Sequence, residues 1–242
     1  MKLFVFITLL LCNIAVYTAP LKIGVLNFAP PFSSKSDTSN HYYGFVVDLM
    51  NTICQRLKIS CEYVTIPKSG ELDGLDKGLY DITFSPTPID SLQSNKYVYS
   101  LPYLPSHGHF VTLNTDNTNS LNDINNKKIG VYKINDITSP IIMKLIEKNS
   151  FIDFIEPSEL VNSLVSKKID YILINQYSAK YIIQTISGQF KIVGDKISIG
   201  NGYGLIALKS HSSLINQINN TLQDMEKDGT YLKIFNSYFG HK

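Results

Sequence analysis

Residues 43–65 read YGFVVDLMNTICQRLKISCEYVT. Val47, Met50, Cys54 and Leu57 recur at intervals of three and four, which predicts a helix with one apolar face that ends near Lys58. CEYVTI follows, and its β-branched and aromatic residues read as a strand. Upstream, LKIGVLNF is an apolar run that reads as a buried strand. The two prolines of APPFSS cannot sit inside a sheet, so this stretch is expected as a loop at that strand's carboxyl end. Downstream, GELDGLDKGLYD reads as a short helical segment with glycines at its ends, and DITFS as a third strand. Strand, helix, strand, helix, strand is the order of a parallel sheet with helices on its faces. In such sheets ligands bind beyond the carboxyl ends of the strands. FAPPFSS and SPTPIDS both lie at such ends.

The order then repeats from about residue 113 to 200. KKIGVYKIN is a strand and loop, SPIIMKLIEKN a helix, FIDFI a strand, SELVNSLVSKK a helix and IDYILIN a strand. Ser158 is the expected N-cap of the second of these helices, with acidic residues in its first turn. Between the units, HFVTLN is extended and apolar, the expectation for a crossover strand. GYGLIALK reads as a late strand. In the helical tail, Ile215, Ile218, Leu222 and Met225 share a face, and Gly229 ends the helix. Two similar α/β units joined by extended crossovers predict two lobes around a cleft, where small molecules commonly bind.

Composition narrows the partners. The 242 residues carry 44% hydrophobic and 17% charged side chains, so a disordered chain is excluded. A net charge of +2 and scattered lysines give no basic stripe for nucleic acid or a membrane surface. Arg56 is the only arginine in the chain, and its place on the first helix suits a solvated role.

Met1 and Lys2 precede LFVFITLLLCNIAV, an apolar run of 14 residues followed by small and polar residues. That is the pattern of a secretory signal peptide over residues 1–19, cleaved after Thr18 or Ala19, and the run is short for a membrane span. The mature chain is therefore expected in the periplasm. In an oxidising compartment, Cys54 and Cys61 read as a disulfide, with a pair of buried thiols as the alternative. Their spacing fits no zinc motif. His107 and His109 alternate and would share one face of a strand, but no third ligand lies nearby in sequence. No metal and no cofactor are expected.

Seven stretches in order carry a resemblance over nearly all of the mature chain: IGVLNFAPPFSS, YYGFVVDLMNTI, LDKGLYDI, YSLPY, KKIGV, SKKIDYIL and EKDGTYLKIFNSYF. Together they resemble the periplasmic solute-binding proteins of the polar amino-acid type, partners of ABC importers. CQRLKISC looks like the disulfide element of the lysine/arginine/ornithine- and histidine-binding branch. The resemblance implies an α/β, two-lobed Venus-flytrap fold in which the chain crosses between lobes twice. Lobe one would hold residues 20–108 plus 205–242 and lobe two residues 113–200, with crossovers near 109–112 and 201–204. It also implies a monomer that binds a small polar solute and delivers it to an inner-membrane permease.

The sequence departs from the family pattern where an amino acid would be gripped. The carboxylate-clamping arginine falls on Gln93, or on Asp90 in a second register. A guanidinium–carboxylate pair is the strongest ordinary grip on that group, and neither residue supplies it. After KKIGV the family's carboxylate-binding helix start falls on Ile134, Asn135 and Asp136, and its amino-group acceptor falls on Asn175. The sandwiching aromatic matches Lys68, with Phe28 or Tyr42 as substitutes from nearby loops; Ser85 stays in register, and Thr87 adjoins it. Two readings follow. In one, the solute is cationic or neutral, with Asp90 and Asp136 as counter-charges. In the other, an amino acid is held weakly through backbone donors and Lys133 or Lys68. A ligand-sensing clamp and a dehydratase-like enzyme on the same fold are the rival classes. The non-enzymatic reading is preferred, because no Ser/His/Asp or Cys/His arrangement is evident.

Overall fold

A computed structural model describes residues 19–84, 88–89, 95–132 and 139–240. The chain begins with β1 (Leu21–Val25) and three short strands, β2 (Phe28–Ala29), β3 (Ser33–Lys35) and β4 (Tyr42–Tyr43). Helix α1 (Phe45–Leu57), β5 (Cys61–Thr65), α2 (Glu71–Asp76), β6 (Ile82–Phe84) and β7 (Tyr97–Tyr99) follow. Next come β8 (His107–Leu113), β9 (Lys128–Tyr132), α3 (Pro140–Ile146), β10 (Ser150–Phe154), α4 (Pro157–Val165), β11 (Tyr171–Asn175), α5 (Gln176–Thr185) and β12 (Phe190–Ser198). The chain ends with β13 (Leu205–Leu208), α6 (Ser212–Lys227) and α7 (Thr230–Phe239).

The strands form two five-stranded sheets of one topology, ordered β5-β1-β6-β13-β7 and β10-β9-β11-β8-β12. In each, the first three strands are parallel and the last two antiparallel to their neighbours. The fold is therefore α/β and two-lobed. In each sheet the fourth strand arrives directly from the other lobe: β8 after the outward crossing and β13 after the return. HFVTLN, expected as a crossover, is thus part of a central strand of the second sheet. The two passing segments pair instead at Leu104 and Tyr203, where each of Tyr103 and Tyr203 donates its N–H across the gap at 2.8 Å.

Local chemistry accounts for the elements. Helix α1 buries Phe45, Val46, Val47, Leu49, Met50, Ile53 and Cys54 on one side. It starts after Gly44, whose φ of 128° belongs to glycine, and a Cβ there would lie 2.3 Å from the Phe32 carbonyl oxygen. Lys58 caps the far end in the left-handed conformation, donating to the Cys54 and Gln55 carbonyls. The Cys54–Cys61 disulfide then ties this last turn to the start of β5, with Cα atoms 6.3 Å apart. Arg56 reaches from the helix to Asp228 and Thr230, both at 2.7 Å.

Three local expectations are revised. The prolines of APPFSS do sit in a turn, but the residues on either side pair as β2 and β3. Helix α4 begins one turn-position earlier than expected, with Glu156 as N-cap and Pro157 at the first turn, because proline is pre-shaped for that position. Helix α5 and strand β12 were not anticipated: β12 is interrupted by a bulge between Val193 and Ile197. The tail face of Ile215, Ile218, Leu222 and Met225 is buried, and α6 packs beside α1 and β13. Among the described residues no helix is long and apolar enough to cross a membrane.

Candidate functional site

Strands β1 and β6 of one sheet and β9 and β11 of the other run out into one cavity of about 390 Å³. Val25, Leu26 and Phe84 wall it from the first sheet, Tyr132, Leu173 and Asn175 from the second. Tyr103, Ile199 and Tyr203 supply the side formed by the crossing segments. The cavity continues between the β2–β3 hairpin and two helices, where Phe28 and Pro30 meet Leu160 and Val161 of α4 and Tyr181, Ile182 and Ile186 at the end of α5. Parallel strands place their carboxyl ends at such crevices, which is why residues far apart in sequence converge here.

The polar atoms are few. Asn175 closes β11 and opens α5: its side-chain oxygen accepts the Tyr177 N–H at 2.8 Å, the geometry of an N-cap. The same side chain hydrogen-bonds the Tyr203 hydroxyl. Burial pushes that hydroxyl up to about 12, and the Asn175 contact offsets part of the shift. Burial likewise raises Tyr103, so both phenols stay neutral and serve as hydrogen-bonding groups. Ser33, Ser158, Asn162, Ser178 and Thr185 add uncharged polar groups. Among the described residues, none that lines the cavity is charged.

Of the residues singled out from sequence, Phe28 and Asn175 line this cavity. Phe28 is 60% exposed, unusual for a phenylalanine and consistent with a surface kept open toward the cavity. Tyr42 does not line it: the side chain is buried, its hydroxyl hydrogen-bonds Thr65 at 2.6 Å, and its ring lies 6.0 Å from Tyr63. Lys68 is exposed beyond β5 and is not part of the cavity wall. Ser85, Thr87, Asp90, Gln93, Lys133, Asn135 and Asp136 lie outside the described residues. The neighbouring Pro88 does line the cavity, packed so closely on Gly200 that a Cβ there would fall 2.4 Å from the proline Cβ. Ile89 N–H donates to the Gly202 carbonyl at 2.7 Å, fixing this part of the SPTPIDS loop to the returning segment.

His107 and His109 share a face of β8, as their alternation predicts. Burial, then Lys196, lowers His107; burial, then Lys180 and Lys196, lowers His109. Among the described residues no group of three or more His, Cys, Asp or Glu is placed to hold a metal.

Tyr103, Tyr203, Tyr181 and Ile182 were missed from sequence. Tyr103 ends the YSLPY stretch and Tyr203 sits between two glycines, so an aromatic at each edge of a crossing segment was the available signal. Tyr181 and Ile182 were hidden with α5, whose only start signal is Asn175 at the end of an apolar strand.

Comparison with known proteins agrees with this architecture. The L-arginine-binding protein of Pseudomonas aeruginosa is 24% identical, over 91% of this chain and 88% of its own. The crystal structure of an arginine 3rd transport system periplasmic binding protein from Legionella pneumophila superposes with a TM-score of 0.81 at 30% identity, covering 92% of this chain and all of that one. An ancestral arginine-binding protein bound to arginine gives 0.79 at 28%, covering 91% and 98%. The model of the bacterial extracellular solute-binding proteins, family 3, matches residues 21–241, and the chain belongs to that family.

Proposed function

We propose that this protein is an exported clamp that captures a small solute, an amino acid or a related compound, between its two lobes and delivers it to an inner-membrane ABC permease. The observation that carries the reading is the cavity itself: it is walled by strand ends from both sheets and bordered by both crossing segments. A site shared in this way couples occupancy to lobe closure, because a solute touching both walls stabilises the arrangement in which they face each other. The relatives' names as binding proteins support a non-enzymatic role. Their periplasmic assignments support export, with residues 1–19 as the cleaved signal.

The hinge in this reading lies at the paired segments around Leu104 and Tyr203, not at 109–112, since those residues belong to a central strand. Lobe one then holds the β5-β1-β6-β13-β7 sheet and lobe two the β10-β9-β11-β8-β12 sheet. Small-angle scattering of the monomer with and without bound solute tests the mechanism. A decrease in radius of gyration on binding is expected; a bound solute with unchanged dimensions refutes closure.

A further inference from the structure

Three features of the cavity bear on what it accepts. The first is charge: among the described lining residues there is no Asp, Glu, Lys, Arg or His. The second is exposure. Phe28 on the hairpin is 60% exposed, while Tyr181 and Ile186 at the end of α5 are 36% and 40% exposed, and all three line this one cavity from opposite sides. Scattered apolar side chains on a surface need no explanation, but large ones facing each other across a single cavity mark a surface kept for a ligand. The third is backing. Leu160 behind them is 2% exposed, and Val161 and Ile182 are half-buried against the same core, so the wall is built on rigid helices.

A cationic side chain entering this end would lose its hydration without meeting a carboxylate, and an anionic one would meet no cation. Ser158, Asn162, Ser178 and Thr185 can hydrogen-bond a hydroxyl or amide, but they carry no charge. The polar groups that can fix the other end of a solute, the Asn175 amide and the Tyr203 hydroxyl, lie at the crossing segments. The cavity is therefore polar at the hinge and apolar between hairpin and helices.

We infer that the solute carries an uncharged aliphatic or aromatic side group, and that this group lodges between Phe28 on the hairpin and Val161, Tyr181, Ile182 and Ile186 on α4 and the end of α5. This rests on the reading that the cavity binds a solute, and it sets the chain apart in ligand class from the relatives named for arginine. Affinity follows apolar contact at this end, and charged side groups are rejected by their desolvation.

Isothermal titration of the purified protein with L-leucine, L-phenylalanine, L-tyrosine, L-arginine, L-lysine and L-glutamate provides the test. At least one of the first three is expected to bind tenfold or more tightly than each of the charged three. Val161→Asp and Ile186→Asp should each weaken the apolar ligand tenfold or more while improving or sparing arginine. Ile186 is exposed enough for its variant to fold if Val161→Asp does not, and circular dichroism checks both. Arginine, lysine or glutamate binding tightest, or an apolar ligand indifferent to both folded variants, overturns the inference and leaves solute binding standing. Absence of binding across the whole panel overturns the inference together with the amino-acid reading of the site.

Discussion

Tyr177 and Phe239 belong to opposite ends of the chain's path, yet their ring centroids lie 4.3 Å apart with planes tilted by 39°. Tyr177 is in the first turn of α5, beside the second sheet; Phe239 closes α7, which packs on α1 beside the first. Tyr231, Phe235 and Phe239 recur every four residues, so α7 presents an aromatic row, and Phe239 also meets Phe32 at 6.0 Å and Phe45 at 4.9 Å. This row is a rivet between the lobes near the hinge. A buried Phe→Ala change costs about 3–5 kcal/mol, and half-burial of Phe239 scales Phe239→Ala to roughly 2 kcal/mol. The pairwise part is smaller: an aromatic contact adds about 0.5–1.5 kcal/mol beyond area burial. Urea unfolding of the parent, Tyr177→Ala, Phe239→Ala and the double variant should therefore yield a coupling energy in that range. Coupling weaker than about 0.3 kcal/mol, the ordinary limit of additivity, refutes the rivet and leaves Phe239 a residue of the first lobe alone.

Three other outcomes follow from the same physics. Reducing the Cys54–Cys61 bridge, which closes a loop of sequence separation 7, should cost roughly 2.5 kcal/mol by chain entropy and lower the melting temperature by about 5–10 °C; an unchanged melting curve after verified reduction contradicts this. Gly44→Ala should destabilise by about 1–3 kcal/mol, since its φ of 128° is strained for any side chain and the new Cβ meets the Phe32 carbonyl. Solute affinity should fall with it, because Phe32 lines the cavity; thermal melts and titration calorimetry read both effects. His107 and His109 titrate below their ordinary value in the fold because of burial, with Lys180 and Lys196 adding repulsion and Asp195 opposing it at His109. The unfolded chain then binds more protons, so this contribution is complete above about pH 6.5 and is lost as pH falls through that value toward the folded values. A variant with both changed to Gln should show a flatter stability–pH curve between about pH 7 and 5.5, and equal slopes would remove the assignment.

Much of the fold was legible because parallel α/β units declare themselves locally. LKIGV, CEYVT, KIGVY and YILIN are apolar runs separated by helices with clear spacing, and all became strands in the expected order. What failed depended on partners distant in sequence. HFVTLN reads identically whether it spans a gap or sits inside a sheet; its partners on β11 and β12 lie some 60 to 80 residues away, and only pairing decides. Helix α5 was hidden because it follows β11 without a loop, one residue serving both as strand end and N-cap. The site was half legible for a related reason. Loops at strand ends could be named, but the apolar end of the cavity is made by α4 and α5, whose outward residues look like ordinary surface until the hairpin is seen opposite them.

That last point changes how Asn175 is to be understood. From sequence it stands where an acidic amino-group acceptor was expected, which suggests a lost contact. In the fold the side chain is occupied: its oxygen caps α5 and the amide holds Tyr203, which itself pairs with Leu104 across the crossing segments. One neutral side chain thus joins the helix that walls the apolar end of the cavity to the segment about which the lobes would turn. A carboxylate at this place would cap the helix as well, yet it would bring a charge into a cavity whose described wall supplies no cation to meet it. Asparagine preserves the cap and the link to Tyr203 without that cost, so its neutrality belongs with the uncharged wall as one arrangement rather than as the erosion of another.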